Sequence, residues 1–208
     1  MMKLFIFTDL HGNDKIFEKI KKKVKKEKPA AIICGGDITL FGAGTKNWLS
    51  KYESLKLPLF LVPGNSPHES IEEVEVYSSR LKFVKNLHLK AISFNSILLI
   101  GCGGWSFDGE SKKFEKLQKK FGEKIKAFKA KHKKGKVILV FHEPPFKTKL
   151  DYLPWAGHVG NEVARSFIEK YKPNLCISGH LHETFNKTDK IKRTKLINPG
   201  PEGKIIKI

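Results

Sequence analysis

Apolar runs punctuate this chain at short intervals, and most of them stop at a glycine, a carboxylate or a histidine. The stretch KLFIFT (3–8) is apolar at successive positions, the pattern of a strand buried on both faces. Over residues 14–28 the period changes. Ile16, Ile20 and Val24 recur every fourth position among lysines, which predicts an amphipathic helix with one buried stripe. Two further runs, AAIICGGD (30–37) and LPLFLVPGN (57–65), again read as strands that end in glycine and a polar residue. This strand–helix–strand alternation predicts parallel pairing through right-handed crossovers.

After residue 80 the rhythm shifts. LKFVKNLHLKAI and FNSILLIGCGGW predict closely spaced strands, and residues 110–132 a long lysine-rich helix. VILVFHEPP (137–145) reads as a buried strand ending in His and Glu, residues 161–171 as a helix, and NLCISGHLHE as a strand running into two histidines. The tail KLINPGPEGKIIKI predicts two short antiparallel strands about a Pro-Gly turn. The expectation is an α/β protein with two sheets, partly parallel and partly antiparallel.

Composition narrows the class. A chain of 208 residues, 40% hydrophobic and 29% charged, is most economically one domain, 1–208, able to bury roughly 70% of its unfolded surface. It has no apolar run of the ~18 residues that a membrane span needs. The first apolar run leads straight into Asp9 and His11, so it reads as a core strand rather than a signal peptide, and a cytoplasmic location is expected. Three cysteines, Cys34, Cys102 and Cys176, form no C-x-x-C pair and sit in apolar runs. Buried free thiols are expected, not a disulfide framework or a thiolate zinc site. The net charge of +19 invites a nucleic-acid partner. The excess is mostly lysine in KIKKKVKKEK (19–28) and KAFKAKHKKGK (126–136), and no aromatics interleave with the first run. Solvated helix faces account better for both, and the positive field would draw in anionic substrates. Nothing in the sequence indicates an oligomeric state.

One recurrence goes beyond secondary structure. Asp9 and His11 follow the first strand, Asp37 the second, Asn65 the third, His142 the VILVF strand, and His180 with His182 the LCI strand. Singly, Asp9 reads as a helix cap, Asp37 and Asn65 as turn residues, and the two late histidines as turn histidines. In parallel α/β sheets, however, C-terminal strand ends share one edge where ligands bind. Two carboxylates, one amide and four imidazoles gathered there make a metal site. Nitrogen and oxygen donors without sulfur suit Mn, Fe, Zn, Ni or Co better than Mg or Ca. Seven donors suit two ions sharing a carboxylate; such a pair, ~3.5–4 Å apart, binds a bridging hydroxide and clamps an in-line phosphoryl displacement.

In these motifs the chain resembles the calcineurin-like metallophosphoesterases: Asp9-Leu-His11, Gly36-Asp37, Gly64-Asn65, Phe141-His142 and Gly179-His-Leu-His182, in family order, with NPG at 198–200 similar to the family tail. FHEPP, DYLPWAGHVGN and GHLHE look most like the small, stand-alone members. The resemblance implies a four-layer α/β/β/α double β-sandwich with mixed sheets and a dinuclear, metal-dependent phosphoesterase, with Mn the first choice of metal. One ion would take Asp9, His11, Asp37 and His182; the other would take Asp37, Asn65, His142 and His180, Asp37 bridging. Asp37, Asn65 and His142 would be central to catalysis. The substrate would be a phosphodiester or phosphomonoester, nucleotides included, diesters being the commoner use among small relatives. The alternatives are a nucleic-acid-binding protein or nuclease working through its basic surface, and a non-catalytic metal-binding scaffold.

The chain departs from the family pattern after Gly64-Asn65, where many relatives have His or Cys and this chain has Ser66. Serine can hydrogen-bond a phosphate oxygen but is a poor general acid near neutral pH. His68, beyond Pro67, is the substitute candidate, and reads equally as a surface histidine. Trp155 and His158 in LPWAGHVGN are further substrate-contact candidates. Trp105 and Asp108 in GGWSFDGE read either as cover for the site or as loop packing. Glu143, after His142, would orient that ligand or pair with a lysine.

Overall fold

In the computed structural model, which describes residues 1–65, 69–104 and 109–208, two sheets lie face to face between helices. The first runs in the order β13 (Lys204–Lys207), β1 (Lys3–Phe7), β2 (Ala31–Cys34), β3 (Leu59–Leu61), β4 (Val84–Asn86); β1 to β4 are parallel and β13 is antiparallel to β1. The second runs β11 (Thr188–Ile191), β12 (Thr194–Ile197), β10 (Leu175–Ile177), β7 (Lys136–Phe141), β6 (Ile97–Cys102), β5 (Ala91–Phe94). Its four middle strands are parallel, and both edge strands are antiparallel to their neighbours. Helices α1 (Asp14–Glu27), α2 (Thr45–Glu53) and α3 (Ile71–Ser79) belong to the first half, α4 (Glu110–Lys131) and α5 (Glu162–Tyr171) to the second. A two-stranded hairpin, β8 (Tyr152–Leu153) with β9 (Gly157–His158), stands apart from both sheets.

Period-two alternation explains the layering. Along β1, Leu4 and Ile6 join a cluster with Ile33, Leu99, Ile138 and Ile177, which fills the space between the sheets. Phe5 and Phe7 point the other way, against Phe17, Ile20, Trp48 and Tyr52 from α1 and α2. The second sheet repeats this: Leu98, Ile100, Leu139 and Phe141 face Phe114 and Phe121 of α4 and Phe167 of α5. The inner strands β1, β2, β3, β6, β7 and β10 are apolar at nearly every position because both faces are covered. Each fully buried side chain of this kind contributes about 1.5–3 kcal/mol. The result is the four-layer α/β/β/α arrangement.

Local signals set the helix ends. Asn13 caps α1 by accepting from Ile16 N (3.1 Å), and Asn161 caps α5 by accepting from Ala164 N (2.9 Å). Part of the lysine run on α1 serves the fold: Lys19 reaches Glu202, and Lys23 donates to the Gly203 carbonyl. Among the described residues, no helix is long and apolar enough to cross a membrane.

The tail corrects one expectation. β12 and β13 do not form a hairpin: β12 pairs in parallel with β10, whereas β13 closes the open edge of β1, Lys3 opposite Lys207. Residues of KIIKI must be covered on both faces, and that edge does so, with Ile205 toward the helices and Ile206 between the sheets. The turn between the two strands carries the chain from one sheet to the other.

Candidate metal centre

The seven ligand candidates sit just beyond the C-terminal ends of β1, β2, β3, β7 and β10. Hydrogen bonds continue past those ends and keep the loops in register. Asp9 N donates to Gly36 O (3.0 Å), His11 N to Asp37 O (3.0 Å), Gly12 N to Ile38 O (3.1 Å) and Gly179 N to His142 O (2.9 Å). Asp9, His11, Asp37 and His180 have φ of 52°, 47°, 50° and 69°. That left-handed conformation costs a side-chain-bearing residue roughly 1–2 kcal/mol, and such strain clusters at functional sites. The neighbouring glycines are required by close approach. A Cβ at Gly36 would run into the His142 ring, at Gly64 into the Asp37 carboxylate, and at Gly179 into the Thr8 hydroxyl and the Asp9 carboxylate.

The side chains converge. His11 Nε2 and His182 Nε2 are 3.0 Å apart, and Asp9 Oδ1 is 3.9 Å from His182 Nε2. Asp37 Oδ2 lies 3.7 Å from His11 Nε2 and 3.6 Å from His142 Nε2, while Asp37 Oδ1 accepts from Asn65 N (2.9 Å). The Asn65 side-chain oxygen is 3.0 Å from His142 Nε2 and 2.8 Å from His180 Nδ1. Donor atoms of Asp9, His11 and His182 fall within 4.8 Å of one another, and so do those of Asp9, Asp37 and His142. Both Asp9 oxygens also accept from His180 N, at 3.0 and 3.2 Å.

This donor set fits cations. His142 is fully buried, and its Nδ1 lies 2.8 Å from the Gly35 carbonyl, so Nδ1–H donates there and Nε2 turns toward the Asn65 oxygen and Asp37. An oxygen facing a ring lone pair at this distance is relieved by positive charge between them, by the Asn65 amide presenting its NH2 instead, or by a second proton on the ring. Burial opposes that proton, yet the carboxylates of Asp37 and Asp9 and the Gly35 contact together raise the His142 pKa. His180 goes the other way: burial first, then His142, push it down to about 3, leaving a neutral ring with a lone pair to give. Burial, assisted by Asp37, raises the Asp9 pKa above the usual carboxylate range. Two donors on one ion, each at about 2.1 Å, lie about 3 Å apart, the separation His11 and His182 show.

Glu69 escaped the sequence reading. It is 1% exposed, and accepts from Thr39 N (2.9 Å) and Thr39 Oγ1 (3.0 Å) through one oxygen and from Gly64 N (2.7 Å) through the other. It ties the loop carrying Asp37 to the loop carrying Asn65. A lone glutamate in GNSPHE gives no signal of that. Glu143 accepts from Asn161 Nδ2 (2.6 Å), linking the residue after His142 to the N-terminus of α5. A cavity of about 330 Å³ opens beside the centre, lined by His11, Asp37, Thr39, Leu40, Phe41, Asn65, Glu69 and His182.

Trp155 and His158 do not line this cavity. Trp155 is 78% exposed at the β8–β9 turn, and His158 Nδ1 lies 2.8 Å from the buried Asp151 Oδ1. Ser66, His68, Trp105 and Asp108 lie outside the described residues.

The profile of the calcineurin-like phosphoesterase family matches residues 2–184, and the chain belongs to that family. No curated protein matches it. Solved structures similar in fold include the protein TT1561 of Thermus thermophilus, at 16% identity and TM-score 0.67, covering 96% of this chain and 89% of that one. A dimetal phosphatase from Danio rerio gives 9% identity and TM-score 0.63, covering 94% and 86%. A novel archaeal phosphodiesterase gives 15% identity and TM-score 0.52, covering 96% and 84%. The family is one of divalent-metal phosphoesterases, which sets the activity class as hydrolysis of phosphate esters.

Proposed function

We propose that this chain, acting as one domain over residues 1–208, is a two-metal phosphoesterase. Asp9, His11, Asp37 and His182 hold one divalent ion, and Asp37, Asn65, His142 and His180 the other. The observation that carries the reading is the position of Asp37 Oδ2, between His11 Nε2 at 3.7 Å and His142 Nε2 at 3.6 Å. Asp9 also has donors near both groups, but both of its oxygens are engaged by His180 N–H, so Asp37 is the better bridge. Mn is the first metal to test, then Fe, Zn, Ni and Co, on donor chemistry.

When bound, such ions supply a water-derived nucleophile at neutral pH and positive charge for the phosphoryl oxygens. The chain does the rest. Gly35 O fixes the His142 tautomer, burial keeps His180 neutral, and Asn65 holds Asp37 through its backbone N–H while offering its own side-chain oxygen. No lysine or arginine is among the residues described around the cavity, so the phosphate charge is met at the metal centre itself. The substrate is an anionic phosphate ester, diester or monoester, drawn in by the net charge of +19.

The test is removal of all metal by chelation, metal content per chain after reloading, and turnover of monoesters, diesters and cyclic nucleotides with each ion. Loss of turnover on chelation, and recovery with two ions per chain, are expected. Turnover indifferent to chelation would end the proposal.

A further inference from the structure

The hairpin of β8 and β9 lies in the segment between His142 and α5, and its side chains do not line the metal centre's cavity. Tyr152 is 47% exposed, Trp155 78% and Val159 43%. Single exposed apolar residues are ordinary, but several large ones on one short hairpin mark an interaction surface.

The hairpin is firmly built. Asp151 is fully buried; its Oδ1 accepts from Thr148 N (2.7 Å) and lies 2.8 Å from His158 Nδ1, and its Oδ2 accepts from Lys147 N and Gly160 N, both at 3.0 Å. Leu150 and Leu153 anchor it in the interior. Phe146 N donates to Asn161 O (3.1 Å) and Asn161 N to Pro144 O (2.8 Å), which ties its base to the loop that begins at His142. Trp155 is thus held in water by a fixed turn. The surroundings are cationic. A cleft of about 460 Å³ between the hairpin and the start of β11 is lined by Lys147, Lys149, Lys187, Tyr152, His158 and Asp189. Asp189 already accepts from Lys149 N and Lys190 N, each at 2.8 Å, and three ammonium groups outnumber its single charge. Tyr152 and His158 face each other across the two strands, with ring centroids 5.2 Å apart. Because the Asp151 carboxylate accepts, His158 Nδ1–H donates. Its Nε2 is left to accept from a base N–H or, in the protonated ring, to donate to a phosphate oxygen.

We infer that this hairpin and cleft bind a single-stranded nucleic acid. Bases stack on Trp155 and Tyr152, backbone phosphates meet the three lysines, and His158 supplies a directed polar contact. The interleaving of lysines with aromatic rings that the first lysine run lacks is present here, in Phe146–His158. Any base offers a face to stack and any phosphate a charge, so binding is sequence-tolerant and falls with salt. An anionic membrane has no use for an imidazole fixed inside a cleft, nor an acidic peptide for exposed stacking faces. The inference goes beyond the phosphoesterase reading and rests on it only in making the strand's phosphodiesters the metal centre's substrate.

Oligothymidylate and oligouridylate, titrated in parallel into chelated protein, read the surface without turnover. Trp155→Ala removes an exposed ring, so the melting temperature should hold while affinity falls about tenfold, the scale of one lost base stack. Trp155→Phe should keep affinity within about threefold yet abolish the quenching of tryptophan fluorescence. Replacing Lys147, Lys149 and Lys187 by Gln should flatten the plot of log affinity against log salt by about two, at ~0.7 per phosphate contact on a single strand. The same change at Lys22, Lys25 and Lys26 of α1 should leave that slope as it was. Unchanged affinity in Trp155→Ala overturns the inference, and so does an equal loss of slope from the α1 variant, which would make binding diffuse. Trp155-dependent binding to vesicles of phosphatidylserine and phosphatidylcholine, with none to either oligonucleotide, overturns it in favour of a membrane. Wild-type protein that binds the strands as described but shows no metal-dependent turnover of any ester supports the surface and sinks the phosphoesterase reading alone.

Discussion

Glu69 is the residue whose replacement discriminates most sharply between a built site and a fortuitous gathering of donors. Three donors face it, two backbone N–H groups and the Thr39 hydroxyl, at 2.7–3.0 Å. That is the arrangement of an ionised carboxylate, even though burial and Asp37 raise its pKa. Glu69→Ala orphans all three donors and leaves a void. At about 1–3 kcal/mol per buried unsatisfied group, partly offset by removing a buried carboxylate, the loss should be about 3–5 kcal/mol. That is a large part of the ~5–15 kcal/mol that holds a domain together. Glu69→Gln is more telling. The amide keeps the shape and one acceptor oxygen, so stability should fall only about 1–2 kcal/mol. One of the two loops is released, and metal affinity should drop about 10–100-fold, the usual scale for partners behind a ligand. Thr39→Val supplies the control, since it keeps the carboxylate and both backbone bonds; its affinity should stay within about threefold of wild type. Urea melts of chelated protein give the stability changes, and calorimetric Mn titration gives the affinities. If Glu69→Gln is destabilised but binds Mn like wild type, the coupling of the two loops through Glu69 is wrong.

Other outcomes follow from the same geometry. Asp37→Ala should lower turnover at least about tenfold more than Asn65→Ala, because Asp37 Oδ2 faces a ring from each cluster; equal, mild losses in a steady-state assay would refute bridging. As pH is lowered, metal binding should release protons, from His142 and Asp9, whose pKa values are both raised in the metal-free fold, before any comes from His180, pushed down to about 3. Calorimetry in buffers of different ionisation heat counts them, and zero release would contradict these environments. Stability against pH is the poorer measure, since raised His142 favours folding below its pKa whereas depressed His180 costs stability as pH falls below about 6.5. Cys34 and Cys176, buried and with thiols pushed up, the latter to about 12, should resist iodoacetamide at pH 8 until the protein is denatured, as mass spectrometry would show. Neutralising Lys21, Lys22, Lys25 and Lys26 should leave turnover at saturating substrate unchanged while slowing capture of anionic substrates at low salt, since surface charge is screened over ~8–10 Å near physiological ionic strength; a collapse of turnover would place α1 in the active site.

What was legible in the sequence is what repeats. Strands apolar at every position announced sheets covered on both faces, and β1, β2, β3, β7 and β10 appeared where such runs ended in metal-capable residues. Elements with weaker periodicity did not show. α2 begins at Gly44 without a side-chain cap, and α3 contributes only Val74 and Ser78 to the interior. The stretch 81–92 hid a change of sheet, because β4 and β5 are both short and look alike until their partners are known. The tail misled for a similar reason: a Pro-Gly turn signals a reversal, and only the open edge of β1 decides which sheet receives the returning strand. Glu69 was illegible because its role depends on two loops that are distant in sequence, 30 residues back to Thr39 and 5 back to Gly64.

The centre and the Leu40–Ala43 turn beside it obey different backbone constraints. Ligand positions are locked twice, by left-handed φ at Asp9, His11, Asp37 and His180 and by glycines at 36, 64 and 179 whose Cβ would strike a ligand or its neighbour. A change in any of these moves several donors at once, because the loops share hydrogen bonds from Asp9–Gly36 through Gly179–His142. The Leu40–Ala43 turn hangs from the same framework through Thr39 and Ile38 but contributes no donor to it. Its first central position accepts Asn, Asp or Gly at no conformational loss, so side chains there can change without disturbing the ions. Chemistry is thereby confined to backbone that tolerates little, beside a turn whose backbone tolerates more.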